Sequence, residues 1–289
     1  MFRDNTAQTS LPQIVDKKDL ETANGQLWSV EQIMGQFIGP PIAGFIIAVS
    51  VPLPFIVDAA TFGIAAFLVY RLSMQPSARA PHSGGFAEQF VEGARWMAGH
   101  RTILSFAIML SVLNFVTFGS QAILVLFAQD VLGLAATGFG ILLSISALGA
   151  AAGGLVGPRI AKALGPKPTL ILSLGMFVVG FVGIAISDTL AMTGASFALM
   201  WFFGMVWNVV TVSFRQRVIP PELLGRVNSI YRFFGWGSIP LGALFMGALV
   251  SWVEPTWGRE MALRLPYVTA AVATTGLLLF AVLFLQIKE

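Results

Sequence analysis

The chain has no cysteine. Disulfides, thiolate zinc sites, iron–sulfur clusters and cysteine nucleophiles are therefore excluded together. It has only two histidines, His82 and His100. Neither has acidic neighbours at ligand spacing, so no metal site is expected. Charge is scarce as well. Only 11% of the 289 residues are Asp, Glu, Lys or Arg, where a soluble domain carries roughly 25%. So few charges do not cover a water-facing surface of this size, and a soluble globular enzyme is not expected. The apolar runs lack strict period-2 alternation, which argues against a transmembrane barrel. There is no G-x-x-x-x-G-K-[ST] loop, no H-E-x-x-H, no G-x-S-x-G and no pair of intramembrane aspartates. Neither ATP use nor intramembrane catalysis is expected, no cofactor is called for, and nucleic acid is not an expected partner.

What is present is apolar. The composition is 56% hydrophobic, with 24 Phe and 7 Trp, too many anchors for a disordered chain. A run of about 18 apolar residues can cross a hydrocarbon core as a helix. Eight such runs occur, near 27–50, 54–72, 103–128, 135–157, 169–187, 190–213, 230–252 and 265–287. The expected fold class is thus an all-α membrane protein with eight transmembrane helices. Fifteen of the 17 Lys and Arg residues fall in 1–26, 71–102, 158–168, 214–232 and the tail, leaving Arg259 and Arg264 on the other side. The positive-inside rule makes the fifteen cytoplasmic, and with them both ends of the chain.

Two distant stretches echo each other at an offset of 204: Val15 with Ile219, Leu20 with Leu224, and Asn24 with Asn228. Each leads into a helix with a Gly/Pro cluster, Gly39-Pro40-Pro41 in one and Pro240-Leu241-Gly242 in the other. The offset spans six helices, and parallel six-helix repeats are a transporter architecture. On this reading the first helix is the fifth of its repeat. Four helices, roughly 100 residues, are then expected upstream of Met1 as missing N-terminal partners. Residues 1–76 would be the remnant of the first half, 77–101 a linker with an amphipathic helix, and 102–289 a complete second half. The other reading is a natural eight-helix protein.

Gly35-Gln-Phe-Ile-Gly39-Pro40-Pro41-Ile-Ala43-Gly44 resembles the antiporter motif of the major facilitator superfamily, G-x-x-x-G-P-x-x-G-G, departing from it at Ala43. Phe127-Ala-Gln-Asp130-Val-Leu-Gly-Leu134, Gly138-Phe-Gly140 and Gly225-Arg226-Val227-Asn228-Ser229 resemble the branch that holds macrolide efflux proteins and the enterobactin exporter. In the loop Arg159-Ile-Ala-Lys162-Ala-Leu-Gly165, Lys162 stands where that family usually has an acid. The resemblance covers family helices five to twelve of a twelve-helix fold of two parallel six-helix repeats. It implies alternating access in a bacterial cytoplasmic membrane, with Gly35, Gly39, Pro40, Pro41 and Gly44 as a gating element.

Polar residues inside spans are costly and tend to face a cavity or a partner. Helical spacing puts Gln32, Gly35, Gln36 and Gly39 on one face. It does the same for Asn114, Phe118 and Gln121, for Gly204, Asn208, Thr211 and Arg215, and for Arg232 with Trp236. The resemblance makes these the cavity-lining helices, so Gln32, Gln36, Asn114, Gln121, Asn208, Thr211, Arg232 and Trp236 are the candidate substrate contacts. Each amide could equally serve an interhelical hydrogen bond. Glu31 and Asp58 are the candidate proton carriers; either could instead sit at the interface beside a helix N-terminus. The expected function is secondary active, proton-coupled export of an amphipathic drug-like or siderophore-like molecule. Its partners are the lipid bilayer, protons and that small molecule. The alternatives are a non-transporting scaffold or sensor of the same fold, or a non-functional fragment.

Overall fold

The computed structural model describes residues 9–38, 42, 46, 50, 52–71 and 85–287. Every regular element among them is helical. A short turn, Lys17–Asp19, leads into α1 (Leu20–Gln32), which continues as a π-helical stretch over Ile33–Ile38. There follow α2 (Leu53–Arg71), α3 (Phe86–Gly99), α4 (Arg101–Asp130), α5 (Ala136–Leu164) and α6 (Pro166–Ala185). The chain closes with α7 (Leu190–Val218), α8 (Pro221–Trp257) and α9 (Arg259–Phe284). Among the described residues six helices, α4 to α9, are long and apolar enough to cross a membrane. The second expected run forms α2, whose described apolar stretch is the shorter Phe55–Leu68. The first run begins in α1, and much of its remainder lies outside the described residues.

Tight turns set the up-and-down order. Gly165 and Gly258 link α5 to α6 and α8 to α9 at φ 81° and 80°, a left-handed conformation that only glycine adopts cheaply. Thr189 caps α7, its hydroxyl oxygen accepting the Met192 N–H at 3.2 Å. α8 has 37 residues and is about 55 Å long at 1.5 Å per residue. Its first turns extend well past the expected start at 230, and α3 docks there. Gly93 of α3 lies against Arg226 and Ile230, and Glu92 pairs with Arg226. On α3 Met97 is buried, while Phe90 and Val91 are exposed.

Lipid is as apolar as leucine, so close backbone approach does what hydrophobic burial does in water. α5 and α7 run parallel, and a Cβ on Gly149 or Gly153 would collide with the carbonyl of Ala198 or Phe202. α4 and α8 meet the same way. A Cβ on Gly242 would strike the Phe115 carbonyl, and one on Gly119 would lie 2.7 Å from the Gly242 oxygen. Aromatic contacts fill the space between, Phe106 meeting Trp207 at 6.3 Å and Phe214 at 5.5 Å.

The helix ends define two faces. One, here called the basic end, gathers the starts of α1, α4, α6 and α8 and the ends of α5, α7 and α9. The opposite end holds the two remaining arginines, both in ion pairs. Arg259 bonds Asp130 and Glu254 at 3.0 Å each, with all three side chains well exposed. Arg264 is buried; it donates to the carbonyls of Ala185 and Ser187 at 2.9 Å and pairs with Asp188 and Glu260. An exposed pair contributes about 0–1 kcal/mol, whereas two carbonyls left without a charged donor cost about 2–3 kcal/mol together. Arg264→Met is therefore expected to lower the melting temperature in detergent clearly. Arg259→Met is expected to leave it nearly unchanged, and equal losses would overturn this ranking.

Candidate functional site

α1 crosses α5 and α7 at the basic end. Its Gly25 lies against the Gly154 carbonyl and the Pro158 ring. One turn on, the Ser29 hydroxyl donates to the Ala151 carbonyl at 3.0 Å. Toward α7 the contacts are polar. Glu21 pairs with Arg217, each side chain only 19% exposed. Asn24 is fully buried, and its Nδ2 donates to Ser213 Oγ at 3.0 Å and to Gln216 Oε1 at 2.6 Å.

The same turns of α7 are held from the other side by α8. Asn228 accepts a hydrogen bond from Arg215 Nη1 at 2.9 Å. The Arg215 Nε donates to the Thr211 carbonyl at 3.2 Å, and its guanidinium lies 3.7 Å from the centre of the Tyr231 ring. All residues from Val209 to Gln216 are buried. Asn24 and Asn228, the pair matched in the internal repeat, thus grip one helix end from two sides. The repeat was visible in the sequence; its common target, α7, was not.

The expected cavity residues divide into three groups. Some are committed to helix packing. Asn114 donates to the Gly235 carbonyl at 2.9 Å and so ties α4 to α8. Thr211 is buried and donates to Trp207 O at 2.9 Å, and Asn208 donates to Gly204 O at 3.1 Å on its own helix. Others keep polar or aromatic surface in play. Gln121 is half-buried and its Oε1 has no hydrogen-bond partner among the described residues. Phe118 of the same face meets Trp201 edge-on at 6.1 Å. Gln32 is half-buried. Arg232 sits 5.3 Å from the Trp236 ring, and Trp236 is 49% exposed. The last group follows Gln32 in the sequence. The side chain of Gln36 and all of Gly39, Pro40, Pro41 and Gly44 lie outside the described residues.

Gly35, expected as part of the gating element, lies in the π-helical stretch Ile33–Ile38. A Cβ there would meet nothing within 4 Å among the described residues. The glycine of α1 that admits another helix is Gly25, because α5 crosses α1 near its start. Both candidate proton carriers, Glu31 and Asp58, are exposed. Asp58 lies on α2, where every described side chain from 55 to 68 is exposed.

The comparisons with known proteins agree with this architecture. A sequence profile described as Major Facilitator Superfamily matches residues 4–243. No curated protein matches the chain. Among solved structures, the crystal structure of a bacterial homologue of the iron transporter ferroportin, in an outward-facing state, matches with a TM-score of 0.66 and 16% identity. The match covers 97% of this chain and 68% of that one. At that identity the likeness concerns the fold.

Proposed function

Since the chain belongs to the Major Facilitator Superfamily and is a membrane transporter rather than an enzyme, we propose that it is a proton-coupled exporter of an amphipathic small molecule. Its basic end is the cytoplasmic gate. The observation that carries this reading is the seam at that end, where α1 is tied to α5 and α7 through Glu21–Arg217, Asn24–Ser213–Gln216 and Ser29–Ala151. In the proposed organisation α1 belongs to the first repeat (1–76), and α5 and α7 belong to the second (102–289), joined by a linker over 77–101. The seam is then a contact between halves, which alternating access must make and break. Drug-like or siderophore-like substrates, four further N-terminal helices and a bacterial inner membrane with cytoplasmic termini belong to the same proposal. The iron of ferroportin, whose bacterial homologue shares the fold, is not carried over. The chain has no Cys and two His, and no cluster of three His, Cys, Asp or Glu occurs among the described residues.

These 289 residues hold no cysteine, so a thiol introduced among them makes the gate directly testable. With Asn208→Cys as reporter, Glu21→Arg or Arg217→Glu is expected to raise labelling by N-ethylmaleimide from the basic side several-fold. The double reversal, which restores an ion pair, is expected to bring labelling back. Labelling that ignores all three variants would show that this seam does not gate access.

Glu31 is the proposed coupling carboxylate, on the same helix as the glycine–proline motif. In reconstituted vesicles Glu31→Gln is expected to remove the dependence of transport on a pH gradient while downhill exchange persists. Internal pH can be followed with trapped pyranine. Proton movement unchanged in that variant would assign coupling to another group.

A further inference from the structure

We propose that α8 is two segments joined by a hinge, and that its first turns, from Pro221 to Tyr231, form an arm that swings at the basic end and is latched by Arg215 of α7. This rests on the gate reading for its purpose, though not for its test. The hinge lies at Gly235–Pro240. Pro240 stands inside α8 and has no N–H, so the Trp236 carbonyl loses its helical donor and the proline ring crowds it. The carbonyl one residue earlier, of Gly235, accepts from two side chains, Ser238 Oγ at 2.7 Å and Asn114 Nδ2 at 2.9 Å. Side chains that supply bonds at such a place let a helix bend without baring a carbonyl inside a membrane. There is also room to bend. A Cβ on Gly237 would meet nothing within 4 Å among the described residues, and Phe233, Trp236 and Pro240 are exposed.

Different helices hold the two segments. Beyond the hinge, toward the opposite end, α8 is held by α4. Gly242 lies against the Phe115 carbonyl, and Phe245 meets the Phe115 ring at 5.5 Å. Before the hinge, α8 is held by α3 and α7. Arg226 pairs with Glu92, and Arg226 and Ile230 lie against Gly93. Toward α7 the arm is bound through Arg215, which donates to Asn228 Oδ1 at 2.9 Å and lies 3.7 Å from the centre of the Tyr231 ring. This latch is suited to opening. Arg215 also donates to the Thr211 carbonyl at 3.2 Å on its own helix, so release of the arm leaves it a partner. All three partners are neutral, and Arg215 is 4% exposed. A buried cation without a counter-charge is costly, and water entering as the arm leaves lowers that cost. Hydration thus offsets part of the lost bonding, which keeps the two positions of the arm close in free energy. Asn24 of α1 bonds Ser213 and Gln216 on the same turns of α7, so the seam and the latch meet on one helix end.

Pairs of spin labels test the motion in the full chain reconstituted in vesicles, read by double electron–electron resonance. The arm is followed by Glu222→Cys with Lys162→Cys at the end of α5, and the far segment by Leu244→Cys with Leu148→Cys. All four positions are exposed. The first pair is expected to give two distances and the second pair one. Arg215→Gln should raise the ratio of the longer to the shorter distance in the first pair about tenfold. Asn228→Ala removes the acceptor alone and should move the ratio the same way. Pro240→Ala, which restores the missing N–H, should leave a single distance in the first pair. One distance in the parent and in both latch variants would overturn the hinge. So would two distances that survive Pro240→Ala unchanged, or two distances in the second pair, which would mean that α8 moves as one rod. An arm that moves in Arg215→Gln while labelling of Asn208→Cys from the basic side stays at the parent's level would keep the hinge and reject the arm as part of the gate.

Discussion

Leucine in place of Gly25 is expected to hold the basic end open. A Cβ at this position collides with the Gly154 carbonyl and comes within 2.9 Å of Pro158 Cγ and 3.3 Å of its Cδ. Backbone and a proline ring do not rotate away, so α1 must move off α5. That movement breaks the Ser29–Ala151 hydrogen bond and carries Asn24 and Glu21 away from Ser213, Gln216 and Arg217. Overpacking of this kind costs about 1–3 kcal/mol. Two conformers related by alternating access differ by only a few kcal/mol, so this cost acts on the balance between them, at tenfold per 1.4 kcal/mol. The expected result is a large rise in labelling of Asn208→Cys from the basic side, loss of transport, and little change in melting temperature. The last follows because α4 to α9 keep their own contacts. Gln26→Leu, one residue on and exposed, is the control and should behave like the parent. Unchanged accessibility in Gly25→Leu would mean that α1 does not close this end.

Gly25 also shows where sequence reading stops. The sequence pattern drew attention to Gly35, because it opens a motif with two prolines and another glycine. Nothing in one sequence says where along α1 another helix crosses. That depends on α5, more than 100 residues later, and on Gly154 lying opposite. The spans themselves were legible for a simple reason. In a bilayer the backbone must satisfy its own hydrogen bonds, so a long apolar run has few choices other than helix. Helix ends were less legible. α8 begins at Pro221 rather than near 230 because turns bearing Glu222 and Arg226 are wetted and leave no apolar signal. Periodicity placed the polar residues on faces but did not identify partners. Asn114 donates to the Gly235 carbonyl, 121 residues away, and no local pattern points to that partner. The ion pair of Glu21 with Arg217 joins residues 196 apart, and no local pattern announces it. The repeat came closest, since it matched Asn24 with Asn228 before either was seen to hold α7.

The seam between α5 and α7 carries the other large expectation. Gly149, Gly153 and Gly157 face Ala198, Phe202 and Val206 in register, each pair four residues on from the last. The spacing puts one backbone into the groove of the other. At Gly153 the obstacle is the Phe202 carbonyl and its own Cα, so a side chain there is accommodated only by separating two helices along several turns. Separation would also loosen α6, whose Gly180 and Gly183 lie against Met200 and Ser196 of the same α7. Gly153→Leu is therefore expected to destabilise the helical bundle by about 3 kcal/mol or more, at the upper end for overpacking. Ala152→Leu changes the adjacent, exposed position and should cost almost nothing. Thermal unfolding in detergent, followed by circular dichroism, separates them. Unlike Gly25→Leu, which is expected to change access and spare stability, Gly153→Leu should lower both folded yield and melting temperature. Equal stability of the two neighbouring leucine variants would mean that α5 and α7 do not pack through their glycines.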